Sequence, residues 1–240
     1  MQHLDPKEIY LKVLDIHIKK LNELSATKQY PILLSRSEQN IFRQALRCIK
    51  KTGDFDKIVE VFLPSARYGY NWCQYAFFQC WDSIPKDQLY KLTLDVYFVD
   101  GFNFPKEAIA YIKELRPTYY LCDFPHEYAD CDWLTVYRAS TTSPILVKNL
   151  PAEISWTTSC LMARCFFDER QKRGEKCYLY SGRINKEDII GYDETDGLLE
   201  IVQIDSVKDV RAVSYDFVTD IARMETYIVK ANKIRENFSS

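Results

Sequence analysis

The spacing of apolar residues changes once along this chain, near Asp132, and that change limits the fold more than any other feature. Before it, apolar side chains recur at three- and four-residue intervals, the period of helices that bury one face. After it, short β-branched runs are bounded by Gly, Pro, Ser and Asp, the habit of strands. The expected fold class is α+β. A helical domain should cover residues 1–117, and a strand-rich domain with a C-terminal helix should cover 118–240.

The helical half is punctuated by its own caps. Asp5-Pro6-Lys7-Glu8 opens a helix, with Asp5 as cap and Pro6 in the first turn. Ile9, Val13, Ile16 and Lys20 form one face, with Tyr10, Leu14, Ile18 and Leu21 beside it, a wide stripe expected to face the core. Ser37 begins a second helix with Ile41, Ala45, Leu46 and Ile49 inward, ended at Thr52-Gly53. Asp54 should cap a short third helix that Pro64 stops. Tyr68, Tyr70, Trp72, Tyr75, Phe77, Phe78 and Trp81 form an aromatic stripe that could stack bases; core is the reading adopted for it. Lys86 to Val99 reads as a helix, although Val96 to Val99 also suits a strand. Pro105 starts a last helix that ends before Pro117.

Thr118 to Asp132 is an irregular connection. It holds Cys122, His126 and Cys131, a set with no fourth ligand at a familiar zinc spacing, so no metal is expected. Strands are expected at Trp133–Arg138, Glu153–Thr157, Cys177–Ile184 and Leu198–Asp205. Ser159 should cap a helix to about Arg170 with Met162, Ala163, Phe166 and Phe167 inward. Gly191 to Gly197 reads as an acidic loop. Tyr215 to about Glu236 reads as an amphipathic helix.

Three strand segments carry residues fit for chemistry. Arg138 ends an apolar strand, where its rigid guanidinium fork can hold an oxyanion. Ser155 and Thr157 share one side of the next strand, with Trp156 on the other. Glu200 interrupts Leu198-Leu199 and Ile201-Val202, and a carboxylate in such a strand is costly to bury unless paired or used. Arg138, then Ser155-Trp156-Thr157, then Glu200, in that order on successive strands, resemble the Arg–Ser–Glu class of ADP-ribosyltransferases, in the form found in phage and bacterial transferase-type domains.

That resemblance spans Trp133 to Asp205 and implies a split β-sheet and NAD as substrate. It makes Glu200 the catalytic carboxylate and gives Arg138, Ser155, Thr157 and Phe166 to cofactor binding, with Glu200, Arg138 and Ser155 lining one cleft. Trp156 stands where the family usually has a threonine, a form its phage-type relatives share. Leu198 stands where arginine-specific members carry an acidic or amide residue, which counts against arginine modification and favours another acceptor or hydrolysis of NAD to water. The acidic loop Asp193-Glu194-Thr195-Asp196 falls where the family recognises its acceptor, and its charge favours a cationic one. The acceptor could be a protein, a nucleic acid or a small molecule, and the role that of a toxin, defence factor or phage factor. The alternative is a non-catalytic module whose helical half binds a partner through an aromatic surface.

Composition narrows the partners. The net charge of −2 provides no global field for nucleic acid or an anionic membrane, leaving only a local patch to serve that purpose. No apolar run is long enough to span a bilayer, and Met1 to Asp5 shows no secretory pattern. The 8 Cys are scattered, so reduced thiols in a cytoplasmic setting are expected. Gly-x-Gly-x-x-Gly and the phosphate-cradling Gly-x4-Gly-Lys-Ser/Thr are both absent from the sequence.

Overall fold

The structure, a computed structural model, describes residues 5–29, 31–68, 71–100, 104–118, 120–121, 124–125, 128, 130–194 and 200–221. The chain divides into two compact units, 1–115 and 116–240.

The first unit is helical: α1 (Pro6–Thr27), α2 (Arg36–Thr52), α3 (Lys57–Phe62), α4 (Trp72–Cys80), α5 (Lys86–Asp100) and α6 (Lys106–Lys113). The caps explain the boundaries. The Asp5 carboxylate accepts from the Lys7 N–H, and Pro6 occupies the first turn. Helix α2 starts one residue after Ser35, earlier than expected, because Ser35 and Glu38 close a reciprocal capping box. Gly53 ends it at φ 74°, a conformation that suits a residue without Cβ. Asp54 does not cap α3, whose first residue is Lys57. Residues 96–99 are helical throughout.

Phe42 is the hub of this core, edge-on to both Phe62 and Trp72. Phe77, Phe78, Trp81 and Phe104 form a second aromatic group with ring centroids 5.0–6.3 Å apart. The aromatic stripe therefore builds core, with Tyr75 among its exposed members. Two charges are buried as partners. The Lys20 ammonium lies 3.4 Å from Glu38 and 3.1 Å from Glu23, as buried charges require. The stripe beside them differs from expectation: Leu14, Ile18 and Leu21 are exposed, because only the Ile9, Val13, Ile16 and Lys20 face meets the core.

The second unit is a six-stranded antiparallel sheet in the order β4-β5-β2-β1-β3-β6, with one face covered by α7 (Cys160–Lys172). The strands are β1 (Trp133–Ser140), β2 (Ser155–Thr157), β3 (Tyr178–Asn185), β4 (Gly191–Asp193), β5 (Glu200–Val202) and β6 (Lys208–Val213). The expected loop at 191–197 thus begins as a strand. Strand β6 was not expected from the sequence; its pattern of charge suits an edge, where only one side is paired. Residues 215–221 form α8; the rest of the expected C-terminal helix lies outside the described residues.

The sheet is nearly divided in two. Strands β1 and β3 pair along their full length, from Trp133↔Asn185 to Ser140↔Tyr178. Strands β1 and β2 share a single register pair, Tyr137↔Thr157. Strand β2 has only three residues, and a 3-10 stretch, Pro144–Ala152, leads into it. Three strands therefore stand on each side of a short seam.

Alternation sorts the side chains to two faces. Leu134, Val136, Trp156, Tyr180, Ile184 and Ile201 pack together with Leu150, Ile189 and Val207. Tyr137, Ala139 and Leu179 pack on the other face with Cys160, Ala163 and Val218. At Gly182 an added Cβ would lie 2.5 Å from Val207 Cγ1. The β3–β6 register shifts at that point, between Ser181 and Arg183, and glycine lets the two chains approach. The seven described cysteines are free thiols.

Candidate functional site

Glu200, Ser155, Thr157 and Arg138 lie on three neighbouring strands, β5, β2 and β1. The register gives their faces. Thr157 opposes Glu200 and Ser155 opposes Val202, so Ser155, Thr157 and Glu200 share one face. Directly opposed antiparallel residues hold their Cβ atoms about 4.5–5.5 Å apart. Tyr137 opposes Thr157 and belongs to that same face. Arg138 is one residue further along β1, so it leaves the strand from the opposite face, opposite Tyr180. Of Glu200, Arg138 and Ser155, expected to line one cleft, Glu200 and Ser155 share a face and Arg138 leaves from the other.

The Arg138 head does not simply continue outward. Its Nη1 donates to the Ser155 carbonyl, and Nη2 donates to the Glu153 carboxylate at 3.1 Å. The reason lies in the seam. β1 and β2 part after their one register pair, and the Gln203 N–H bonds Ile154 on the β5 side. The next carbonyl, that of Ser155, points the other way, toward the gap, and the guanidinium fills the place of a ladder partner. Arg138 therefore starts on the Trp156 face and ends in the seam beside β2.

The β2 entry is held from below. Gln203, fully buried, donates to the carbonyls of Pro151 at 2.9 Å and Glu153 at 2.5 Å, and its side-chain oxygen accepts from the Ser206 N–H. The Trp156 indole donates to the same Glu153 carbonyl. The β2 exit is held by hydroxyls. Thr157 Oγ1 accepts from the Ser159 N–H at 3.0 Å, and Ser159 Oγ caps α7 by accepting from Met162. The Tyr128 hydroxyl donates to Thr158 Oγ1 at 3.1 Å. Each side of the strand is thus fixed where a ligand group would need a rigid mount.

Phe166 is not inward. It is 55% exposed on α7, while Cys160 and Ala163 are buried and Phe167 packs beside them. The helical period explains this: 160, 163 and 167 fall on one face, and 166 is turned about 100° from 167. Helix α7 does cover the face that carries Thr157, so Phe166 is on the right side of the sheet with its ring toward water.

Two residues near the site take places that differ from the sequence expectation. Asp193 opposes Glu200 from β4, on the same face, so Glu200 stands between Thr157 and a second carboxylate. The sequence places it in the acidic loop, because its strand has only three residues. Glu153, the Arg138 partner, is expected in a strand, whereas β2 begins at Ser155. No group of three or more His, Cys, Asp or Glu residues suited to a metal occurs among the described residues. Cys122 and His126 lie outside them, as do Thr195, Asp196 and Leu198.

Family models, curated proteins and solved structures were each compared with the chain, and none of them matches it.

Proposed function

We propose that the sheet unit is an NAD-dependent ADP-ribosyltransferase with Glu200 as its catalytic carboxylate. The observation that carries this reading is the placement of Glu200 on β5, directly opposite Thr157 on β2, one strand from the Arg138 guanidinium in the seam. The near-division of the sheet between β1 and β2 also fits a split-sheet transferase domain.

Each side chain has work that suits it. Breaking the nicotinamide–ribose bond sends the bonding pair to the nicotinamide nitrogen and leaves an oxocarbenium-like ribose, as in glycoside cleavage. The Glu200 carboxylate, bonded to a ribose hydroxyl, would stabilise that positive charge as it develops. Ser155 and Thr157 would orient the ribose and the carboxylate from the adjacent strand. Arg138 would hold a phosphate of the dinucleotide at the seam, with the Ser155 carbonyl keeping its fork in place. Glu153 must then share or yield the Nη2 edge, and as a half-exposed side chain it is able to swing aside. The acceptor's nucleophilic atom bonds the ribose carbon as nicotinamide leaves, and its proton passes to water. Asp193 and Glu200 together favour a cationic acceptor, whether protein or small molecule.

The test is incubation of the protein with adenylate-labelled NAD, with and without a cell lysate separated into protein and nucleic-acid fractions. Release of nicotinamide that depends on Glu200 supports the reading, and absence of release from the intact protein refutes it. The alternative, a partner-binding module, finds no support in the aromatic residues, most of which build core, but it finds some in an aliphatic face of α1.

A further inference from the structure

Helix α1 carries two apolar stripes, and only one is used inside its own unit. Ile9, Val13 and Ile16 are buried with Lys20. Leu11, Leu14, Ile18 and Leu21 are 52%, 48%, 50% and 42% exposed. Their 3-4-3 spacing puts them on one face of the helix, as in a heptad seam. From Leu11 to Leu21 the seam runs roughly 15 Å at 1.5 Å per residue.

The surroundings of the seam are specific. On one side a groove of about 600 Å³ opens between α1 and α3, walled by Leu11, Leu14, Val61 and Pro64. At its edge Lys57 is paired with Glu60, and Lys7 lines it as well. On the other side stand Glu8 and Asp15, seven residues apart and both exposed. Neither makes an ion pair among the described residues, and Lys19, the nearest basic residue after Asp15, is turned to Glu23 and Glu38. Lys7 lies at the N-terminal end of the seam, and Lys12, four residues from Glu8 and three from Asp15, lies beside both, further round the helix.

We propose that this face of α1 docks an amphipathic helix whose apolar seam is flanked by lysine or arginine. A compact small molecule would fill the groove but would leave Ile18 and Leu21, which lie beyond its lining, in water. A helix laid along the seam covers all four residues, and one of its flanks then meets Glu8 and Asp15. A second copy of α1 fits less well, because antiparallel pairing about this seam sets the carboxylate row against its own counterpart. The inference concerns the helical unit alone and does not depend on NAD chemistry.

The test uses two synthetic helices of three to four heptads with the same leucine and isoleucine seam, one flanked by lysine and one by glutamate. Fluorescence anisotropy measures their binding to the full chain. The lysine-flanked helix should bind at least tenfold more tightly. Leu14→Asp and Ile18→Asp, both at exposed positions, should each weaken it tenfold or more with an unchanged circular dichroism spectrum. The double variant Glu8→Lys with Asp15→Lys should invert the preference between the two helices. Equal binding of both peptides, or binding untouched by Leu14→Asp, would overturn the proposal. Sedimentation that shows a dimer of the protein alone, dissociated by Leu14→Asp, would overturn it too and assign the face to a second copy.

Discussion

Thr157 and Glu200 oppose each other across β2 and β5, on the same face of the sheet. A hydroxyl and a carboxylate in direct register can act on one ribose, which is the geometric basis of the proposed chemistry. Arg138 reaches the same strand by another route, through the seam, where its guanidinium takes the Ser155 carbonyl. The site is thus built around β2, with Glu200 on one neighbouring strand and Arg138 on the other.

Arg138 should serve both binding and local structure. Arg138→Ala removes the fork at the seam and leaves the Ser155 carbonyl and the Glu153 carboxylate without it. A loss of about 1–3 kcal/mol in stability is expected from chemical denaturation. In NAD cleavage the KM should rise severalfold or more with a smaller change in kcat, because a phosphate contact acts in ground and transition states alike. Arg138→Lys retains the charge but not the fork, and should recover only part of the KM. A KM equal to that of the unaltered protein in both variants would remove Arg138 from the site.

Gln203 should matter more than its position outside the catalytic set suggests. Its side chain bonds Pro151, Glu153 and Ser206 in a fully buried position. Gln203→Ala leaves the Ser206 N–H unmatched and takes one of two donors from each of the Pro151 and Glu153 carbonyls, and the expected cost is about 1–3 kcal/mol. Thermal unfolding should register this as a clear drop in Tm. A change within the error of measurement would mean that solvent or neighbouring groups replace the amide.

His17 should give the helical unit a pH-dependent stability. Burial lowers its pKa below the ordinary 6.5, opposed in part by the bond between its Nε2 and the Val61 carbonyl. The folded state therefore keeps the ring neutral where the unfolded chain would protonate it. The stabilisation is complete above pH 6.5 and is lost as pH falls from there toward the lowered folded value. This group contributes a slope of at most about 1.4 kcal/mol per pH unit. Urea midpoints at pH 7.5 and pH 5 should differ less in His17→Gln than in the parent chain. An equal difference in both would exclude His17 as the source.

The period change near Asp132 was enough to separate helical from strand-forming sequence, since periodicity reports burial directly. The order of Arg138, Ser155 and Glu200 along the chain was enough to place them on separate strands, and those strands proved adjacent. Facing was another matter. Whether Arg138 shares a face with Glu200 depends on which β1 residue meets Thr157, and a shift of one residue reverses the answer. The sequence carries no local signal for that register. Phe166 and Phe167 look alike in sequence, yet a 100° turn puts one in contact with the core and the other in water. In α1 both stripes are apolar, and only the packing of α2 and α3 decided which was buried. Strand β6 and the strand that carries Asp193 were missed because a short, charged edge strand resembles a loop until its partner is known.

Glu200→Gln is the most direct test of the whole account. The substitution keeps size and hydrogen bonding but removes the charge that would meet the oxocarbenium. Nicotinamide release from NAD by the full chain should fall by roughly a hundredfold or more in kcat with little change in NAD binding, because the lost interaction belongs to the transition state. Folding should be retained, as judged by the same denaturation midpoint within about 1 kcal/mol. Nicotinamide release by Glu200→Gln at the rate of the parent protein, or no release from the parent protein itself, would contradict the account.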